Sequence, residues 1–316
     1  MPSFDGGHYF LTALIPVRMD AVEDPMAGGQ VTSHLHALRE VLAALPTALQ
    51  SPATEKIGVN APFARESRTH FTRLVILDDV AFNGRNQRDP IKVAIAGPPP
   101  TQFDPVDRLD GAFLIYVADF DAADGSAETV DGYLRGLWSV MGEEWRAILA
   151  HCHRGAAITD GSGFARYIRG CELETTMPFN DYWPGAPPLA PLSLKPFINL
   201  ALGAVAALVL GLVIAPFAGA AWLWLALAGL LGLAGVAGAA LFRIMRAGQK
   251  PFPAAPRSDL PSVLKALYLQ QRFTRFAIAT QGESPAALYA GFAEFLARHR
   301  PGDVTGPTQP RGVVRS

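Results

Sequence analysis

Residues 196–242 contain no Asp, Glu, Lys, Arg or His, and this uncharged run restricts the fold more than any other feature of the chain. An α-helix rises ~1.5 Å per residue, so a hydrocarbon layer of ~30 Å takes about 20 apolar residues. A run of 47 residues is too long for one crossing and suits two crossings joined by a turn. The turn is expected at Ala215-Pro216-Phe217-Ala218-Gly219, where proline removes a backbone donor and glycine lets the chain reverse. This places a first span near residues 197–215 and a second near 221–242, a helical hairpin within 197–243. Trp222 and Trp224 follow the turn, at the depth that indole rings favour. A lipid bilayer is therefore the first expected partner.

Orientation follows from the basic residues. Lys195 precedes the first span, Arg243, Arg246, Lys250 and Arg257 follow the second, and the turn is uncharged. The excess of positive charge marks both ends as cytoplasmic. The first residues, Met1-Pro2-Ser3-Phe4-Asp5-Gly6-Gly7, lack the pattern of a secretory signal, which agrees with that orientation. The expected location is the cell inner membrane, multi-pass, with both termini cytoplasmic. Gly229, Gly232, Gly235 and Gly238 recur every third residue in the second span. Such small residues suit either a dimerisation face or close packing of the two spans on each other. Neither span carries an ionisable group, which argues against an ion pathway through the hairpin.

Outside this run the composition is that of a soluble protein, although the whole chain is only 17% charged, below the roughly 25% of ordinary globular chains. The net charge is -1, and no basic stripe or nucleic-acid motif occurs, so nucleic acid is not an expected partner. The two cysteines, Cys152 and Cys171, form no CxxC pair and read as free thiols in a reducing compartment.

Before the membrane run, residues 8–18 alternate as a strand, and Ser33 caps a helix expected to run to about Leu49. His34 and His36 fall in its first turn, where solvation is expected. Residues 69–77 and 112–119 read as further strands, with a short one possible at 92–96 in a polar loop. A long helical pattern covers 127–152, with Gly142 as a point of division, and a short helix covers 162–169. Residues 172–182 read as a fourth long strand, and 184–196 is a proline-rich linker. The order β-α-β, β-α-β predicts an α+β, ferredoxin-like βαββαβ domain over residues 1–183. One face of its antiparallel sheet is covered by helices, and the other needs a cover such as a second copy, so a homodimer is an expected partner.

His70-Phe71-Thr72-Arg73-Leu74-Val75-Ile76-Leu77-Asp78-Asp79 has the form HFxRxVxLDD. With the apolar strand Phe113–Asp121 and the segment His151-Cys152-His153-Arg154-Gly155, it is similar to a set of bacterial membrane-anchored proteins of unassigned activity. More broadly, residues 8–183 resemble the dimeric α/β-barrel superfamily, which includes dye-decolourising peroxidases, chlorite dismutases and small monooxygenases. The hairpin lies outside the shared pattern. The resemblance implies a sheet that pairs with a second sheet and, in the haem-binding members, a histidine on the iron.

After the hairpin, residues 257–300 read as a small α/β segment. It comprises a short helix at 260–270, a strand at 272–280, and a helix at 285–299 capped by Ser284. This terminal βα unit is expected to pack back on the first sheet. Residues 301–316, rich in Pro and Gly, are expected to be a flexible tail.

Candidate chemistry is sparse. His151, Cys152 and His153 offer metal-ligand side chains, yet a structural zinc needs four ligands and no second cluster stands at such spacing. The competing reading is a polar helix end, where His and Arg favour the negative pole. His70 is a candidate base or haem ligand, or else a strand-end histidine bonded to a loop. Arg73, an odd number of residues away, is expected on the opposite face. Asp119 and Asp121 share a face, and Asp124-Gly125-Ser126 reads as a turn and cap. P-loop, GxGxxG, GxSxG and HExxH motifs are absent from the sequence. Two functions are compatible with these features: an assembly or binding role for a membrane-anchored ferredoxin-like domain, or a membrane-tethered, haem-dependent or peroxidase-like oxidoreductase acting on a lipid-soluble substrate.

Overall fold

The alternation at the start of the chain becomes a strand in the computed structural model, which describes residues 3–24, 29–46, 61–79, 109–175 and 191–312 and positions 95, 97, 183, 185 and 188. Strand β1 (Phe4–Asp5) turns into β2 (His8–Pro16) through Gly6 and Gly7, both at positive φ, a conformation that costs glycine little. A ribbon of β3 (Ala21–Asp24) and β4 (Gln30–Ser33) leads into helix α1 (His34–Ala44). The expected cap is present: Ser33 Oγ accepts from the His36 amide at 3.1 Å. Strands β5 (Thr69–Leu77) and β6 (Phe113–Asp121) follow, then α2 (Ala127–Leu149) and α3 (Gly161–Gly170). Ser126 caps α2 by accepting from Thr129, and Asp160 caps α3 by accepting from Gly163. Next to Gly142, α2 kinks at Met141, whose φ of -143° leaves the helical region without ending the helix.

The main sheet has the order β1-β2-β6-β5, antiparallel throughout. On the free edge of β2, Leu14 donates to the Cys171 carbonyl and Leu173 to that of Thr12, both at 2.8 Å, and Glu172 bridges Ala13. Of the strand expected over 172–182 the described residues show an isolated bridge at Glu172; residues 173–175 are not strand, and 176–182 lie outside the described residues. The short strand expected at 92–96 also falls almost wholly outside them.

The period of two puts Leu11, Ala13 and Ile15 of β2 and Leu114, Tyr116, Ala118 and Phe120 of β6 on one face, all fully buried. The apolar stripe of α2 covers them. Tyr133 stacks on Phe120 with ring centroids 3.6 Å apart, and Trp145 meets Tyr116 edge-on at 4.9 Å. Burying each such side chain stabilises the fold by about 1.5–3 kcal/mol. On the opposite face Phe71 and Val75 stay exposed.

The uncharged run folds as two helices, α4 (Lys195–Ala218) and α5 (Leu223–Gly248), joined through Gly219 and a 3-10 turn at Ala220–Trp222. Both are long and apolar enough to cross a membrane. The chain does not reverse at Pro216, which remains inside α4. It reverses at Gly219, where φ is +100° and a side chain would be strained. The two helices touch through glycine. A Cβ on Gly211 would sit 2.4 Å from Ala226 N, and one on Gly229 2.5 Å from Leu208 N. Gly235 and Gly238 face open space, so of the four glycines only the first two of the row, Gly229 and Gly232, pack against the neighbouring span. At the far end Arg243 lies over the Phe197 ring, 5.7 Å from its centroid.

The terminal segment departs from expectation. Residues 272–280 form no strand. They continue α6 (Leu260–Ala279), and α7 (Pro285–His299) completes a pair of helices in place of the βα unit. The pattern Arg-Phe-Thr-Arg-Phe reads equally as alternation or as an i, i+3 pair. Packing decides it: Phe273 and Phe276 meet Phe292 and Phe295 of α7 at centroid distances of 5.3–6.4 Å. The segment does join the N-terminal residues in one compact unit, distinct from the hairpin. Residues 301–312, expected to be flexible, return along α6. Lys265 Nζ donates to the carbonyls of His299 (2.8 Å) and Pro307 (2.9 Å), a cation at the negative end of α7.

Candidate functional site

At one end of the sheet, three strands bring two imidazoles and two carboxylates together. The register pairs His8 of β2 with Asp121 of β6, and both side chains project from the face opposite the core. Asp119, two residues earlier, shares that face as expected. His70 arrives by an irregularity. β5 pairs Thr69 with Phe120 and Phe71 with Asp119, so His70 is the extra residue of a bulge. The bulge resets the alternation and places His70 and Arg73 on the same open face. This corrects the expectation of opposite faces, which assumed an unbroken period of two. Arg73 stays exposed, its guanidinium over the Phe71 ring, and does not join the cluster.

The geometry is tight. His70 Nε2 lies 2.8 Å from Asp121 Oδ1, and His8 Nδ1 lies 3.9 Å from the same oxygen and 3.6 Å from Asp119 Oδ1. The two rings meet edge-on with centroids 4.7 Å apart. The His8 and His70 side chains are 1% and 5% exposed. The other oxygen of Asp121 accepts the Leu260 amide at 2.9 Å, so the first turn of α6 holds the carboxylate by its outer face. Burial, reinforced by the nearby His70, lowers the His8 pKa to about 4 and keeps its imidazole neutral at pH 7. Burial likewise raises the Asp119 carboxyl to about 6. Donor atoms of His8, His70 and Asp121 all lie within 4.8 Å of one another, close enough to share one metal ion.

A haem does not fit the His70 nitrogen. Asp121 already sits on Nε2 and His8 packs against the ring, so iron could reach it only by displacing both. The donor set suits a small cation.

The other sequence candidates separate. His151, Cys152 and His153 do not converge. Cys152 is buried and its Sγ contacts the Ile148 carbonyl at 3.6 Å, while His153 is exposed. Burial pushes the Cys152 thiol up to about 12, far from a reactive thiolate. His151 instead pairs with His34, Nδ1 to Nδ1 at 2.9 Å. His34 is thus buried rather than solvated, because the β3–β4 ribbon turns the first residue of α1 inward. His36 is exposed as expected, beside Glu40 at 3.3 Å. Asp124 and Ser126 fulfil their expected turn and cap roles. Asp78 pairs with Arg39 at the surface.

His8 and Asp121 had no signature in the sequence as partners of His70, nor the Leu260 amide as a partner of Asp121. The one available signal was strand register, since His8 and Asp121 face each other only when β2 and β6 pair antiparallel. No family model matches the chain, and no curated protein or solved structure matches it either.

Proposed function

We propose that this chain is a membrane-anchored protein whose α+β part is a ferredoxin-like assembly or binding domain held on the cytoplasmic side of the inner membrane. The observation that carries this reading is the pair α4–α5. These are two helices of 24 and 26 residues, charged only near the ends away from the turn, packed on each other through Gly211 and Gly229 and otherwise presenting apolar side chains outward. Water would penalise that surface heavily, and lipid would not. Lys195 at one end and Arg243 and Arg246 at the other favour a cytoplasmic location for both ends.

The ferredoxin-like reading is supported by the order β2-β6-β5 with Glu172 beside β2, the antiparallel 4-1-3-2 pattern when the four long segments are numbered in chain order. The exposed Phe71 and Val75, flanking half-buried Ile115 and Val117, suit a second copy of the sheet, as in the dimeric α/β-barrel superfamily. The test places a single cysteine at Gly219 in a chain whose own cysteines are serine, with a second variant carrying it at Glu283. An impermeant maleimide added to intact cells should label the first and not the second. Labelling of Glu283→Cys from outside, or release of the chain by alkaline carbonate, would refute the anchor.

A second reading, a membrane-tethered oxidoreductase, is favoured by the buried His8–His70–Asp121 cluster. It would work through a metal ion rather than through haem. Redox turnover of a quinone-like, lipid-soluble substrate by the detergent-purified, metal-loaded chain, lost in His70→Gln, would favour it. A colourless, inactive dimer would favour the first reading.

A further inference from the structure

We propose that His8, His70 and Asp121 bind one divalent first-row transition-metal ion, with Asp119 as the fourth donor, and that the ion clasps the start of α6 to the sheet. The inference goes beyond the membrane anchor and stands or falls without it. Ligands at ~2.1 Å from a shared ion lie roughly 3.0–3.4 Å apart, depending on geometry. The separations of 2.8, 3.6 and 3.9 Å bracket that range, so small side-chain adjustments suffice. Two imidazoles with carboxylate oxygens are the donor chemistry of zinc and its neighbours in the series, whereas calcium and magnesium prefer oxygen alone.

Charge argues the same way. Asp119 is buried beside a second carboxylate, Asp121, and a buried carboxylate is costly to hold ionised without a counter-charge. A dication between them, with two neutral imidazoles, makes a complex of zero net charge. Asp119 Oδ1 is buried and has no hydrogen-bond partner among the described residues, as a donor held for a ligand would be. The Leu260 amide supplies the outer hydrogen bond that typically orients a ligating carboxylate, leaving Oδ1 turned to the histidines. In the metal-bound form each histidine presents one ring nitrogen as a lone pair to the ion and keeps its single proton on the other nitrogen, so both imidazoles stay neutral. With all four protein donors on the ion the site is closed, as structural ions are, and the oxidoreductase reading would need one donor to give way to substrate. It joins β2, β5 and β6 and, through Asp121, the amino end of α6.

The full chain, purified in mild detergent and stripped with EDTA, should take up about one Zn2+ or Co2+ per chain by equilibrium dialysis. The Co2+ form should show d–d absorption. Asp121→Asn keeps an acceptor for Leu260 and should weaken binding more than ~10-fold. His8→Gln should do the same, and the remote His36→Gln should not. Metal loading should also slow proteolysis between Ala255 and Leu260. Because a variant can lose metal by losing its fold, Cu2+ on the unaltered chain gives a second measure: its EPR spectrum should carry superhyperfine coupling from two imidazole nitrogens. Sub-stoichiometric uptake by the unaltered chain, unchanged affinity in Asp121→Asn, or a Cu2+ spectrum without nitrogen coupling would overturn the assignment and leave a plain His–Asp hydrogen-bonded cluster.

Discussion

The pair His34–His151 is a part-buried contact that should make the stability of this chain sensitive to acid. One imidazole donates to the other across 2.9 Å, so the contact needs at least one neutral ring. Burial lowers the pKa of both. The Arg18 guanidinium adds to this at each ring, His34 adds to it at His151, and Asp20 opposes it at His34. A histidine whose folded pKa lies below its unfolded value leaves the unfolded chain holding more protons between the two values, so stability rises with pH there. The contribution is complete above about pH 6.5, the unfolded value, and is lost as the pH falls towards the folded values. Thermal unfolding in detergent should therefore move to lower temperature between pH 7.5 and 5.5. In the double variant His34→Gln, His151→Gln that part of the slope should vanish. An unchanged slope would place the acid sensitivity elsewhere.

Among the elements, the hairpin has the clearest sequence logic and the sharpest test. Gly229 faces Leu208 and Ala204 at distances that no Cβ tolerates, and Gly238 faces nothing. Gly229→Val should force α4 and α5 apart and cost roughly 1–3 kcal/mol of helix pairing. Gly238→Val should leave the pairing intact. Cysteine cross-linking between the spans separates the two outcomes, and equal cross-linking in both variants would contradict the packing described. The pair α6–α7 shows a different balance. Residues 272–280 have a sequence compatible with either period. The aromatic cluster with α7, together with Asp259 capping the start of α6 by accepting from Ser262 at 3.2 Å, selects the helix.

For the molecule, the division into two compact units has a direct consequence. Residues 3–179 and 256–316 form one unit, and the hairpin with its flanks forms the other. Replacing residues 192–250 with a flexible Gly/Ser linker removes most of the exposed apolar helix surface, leaving that of α6 and α7, and spares Leu260 and Asp121. The resulting chain should purify without detergent, with a single cooperative unfolding transition and the α-helical spectrum of the remaining helices. Aggregation of a chain that retains its secondary structure would mean that the hairpin also covers apolar surface of the other unit.

Much of this architecture is written in local pattern. An uncharged run, a serine or aspartate before an apolar stripe, and alternation over nine residues each act on neighbouring residues, and they located α4, α5, β2, β5, β6 and the caps of α1, α2 and α7 without reference to the rest of the chain. The cluster was not legible in the same way. His70 and the Asp119–Asp121 pair stood out separately, while His8 and Asp121 reach His70, and Leu260 reaches Asp121, from elements far away in sequence. A one-residue bulge in β5 decides which face His70 joins, and the pairing of β2 with β6 decides which residues meet it. Such choices depend on free-energy differences summed over whole interfaces, and no short window of sequence contains them. For the same reason the aromatic contact with α7, not the alternation within residues 272–280, settled whether that segment became strand or helix.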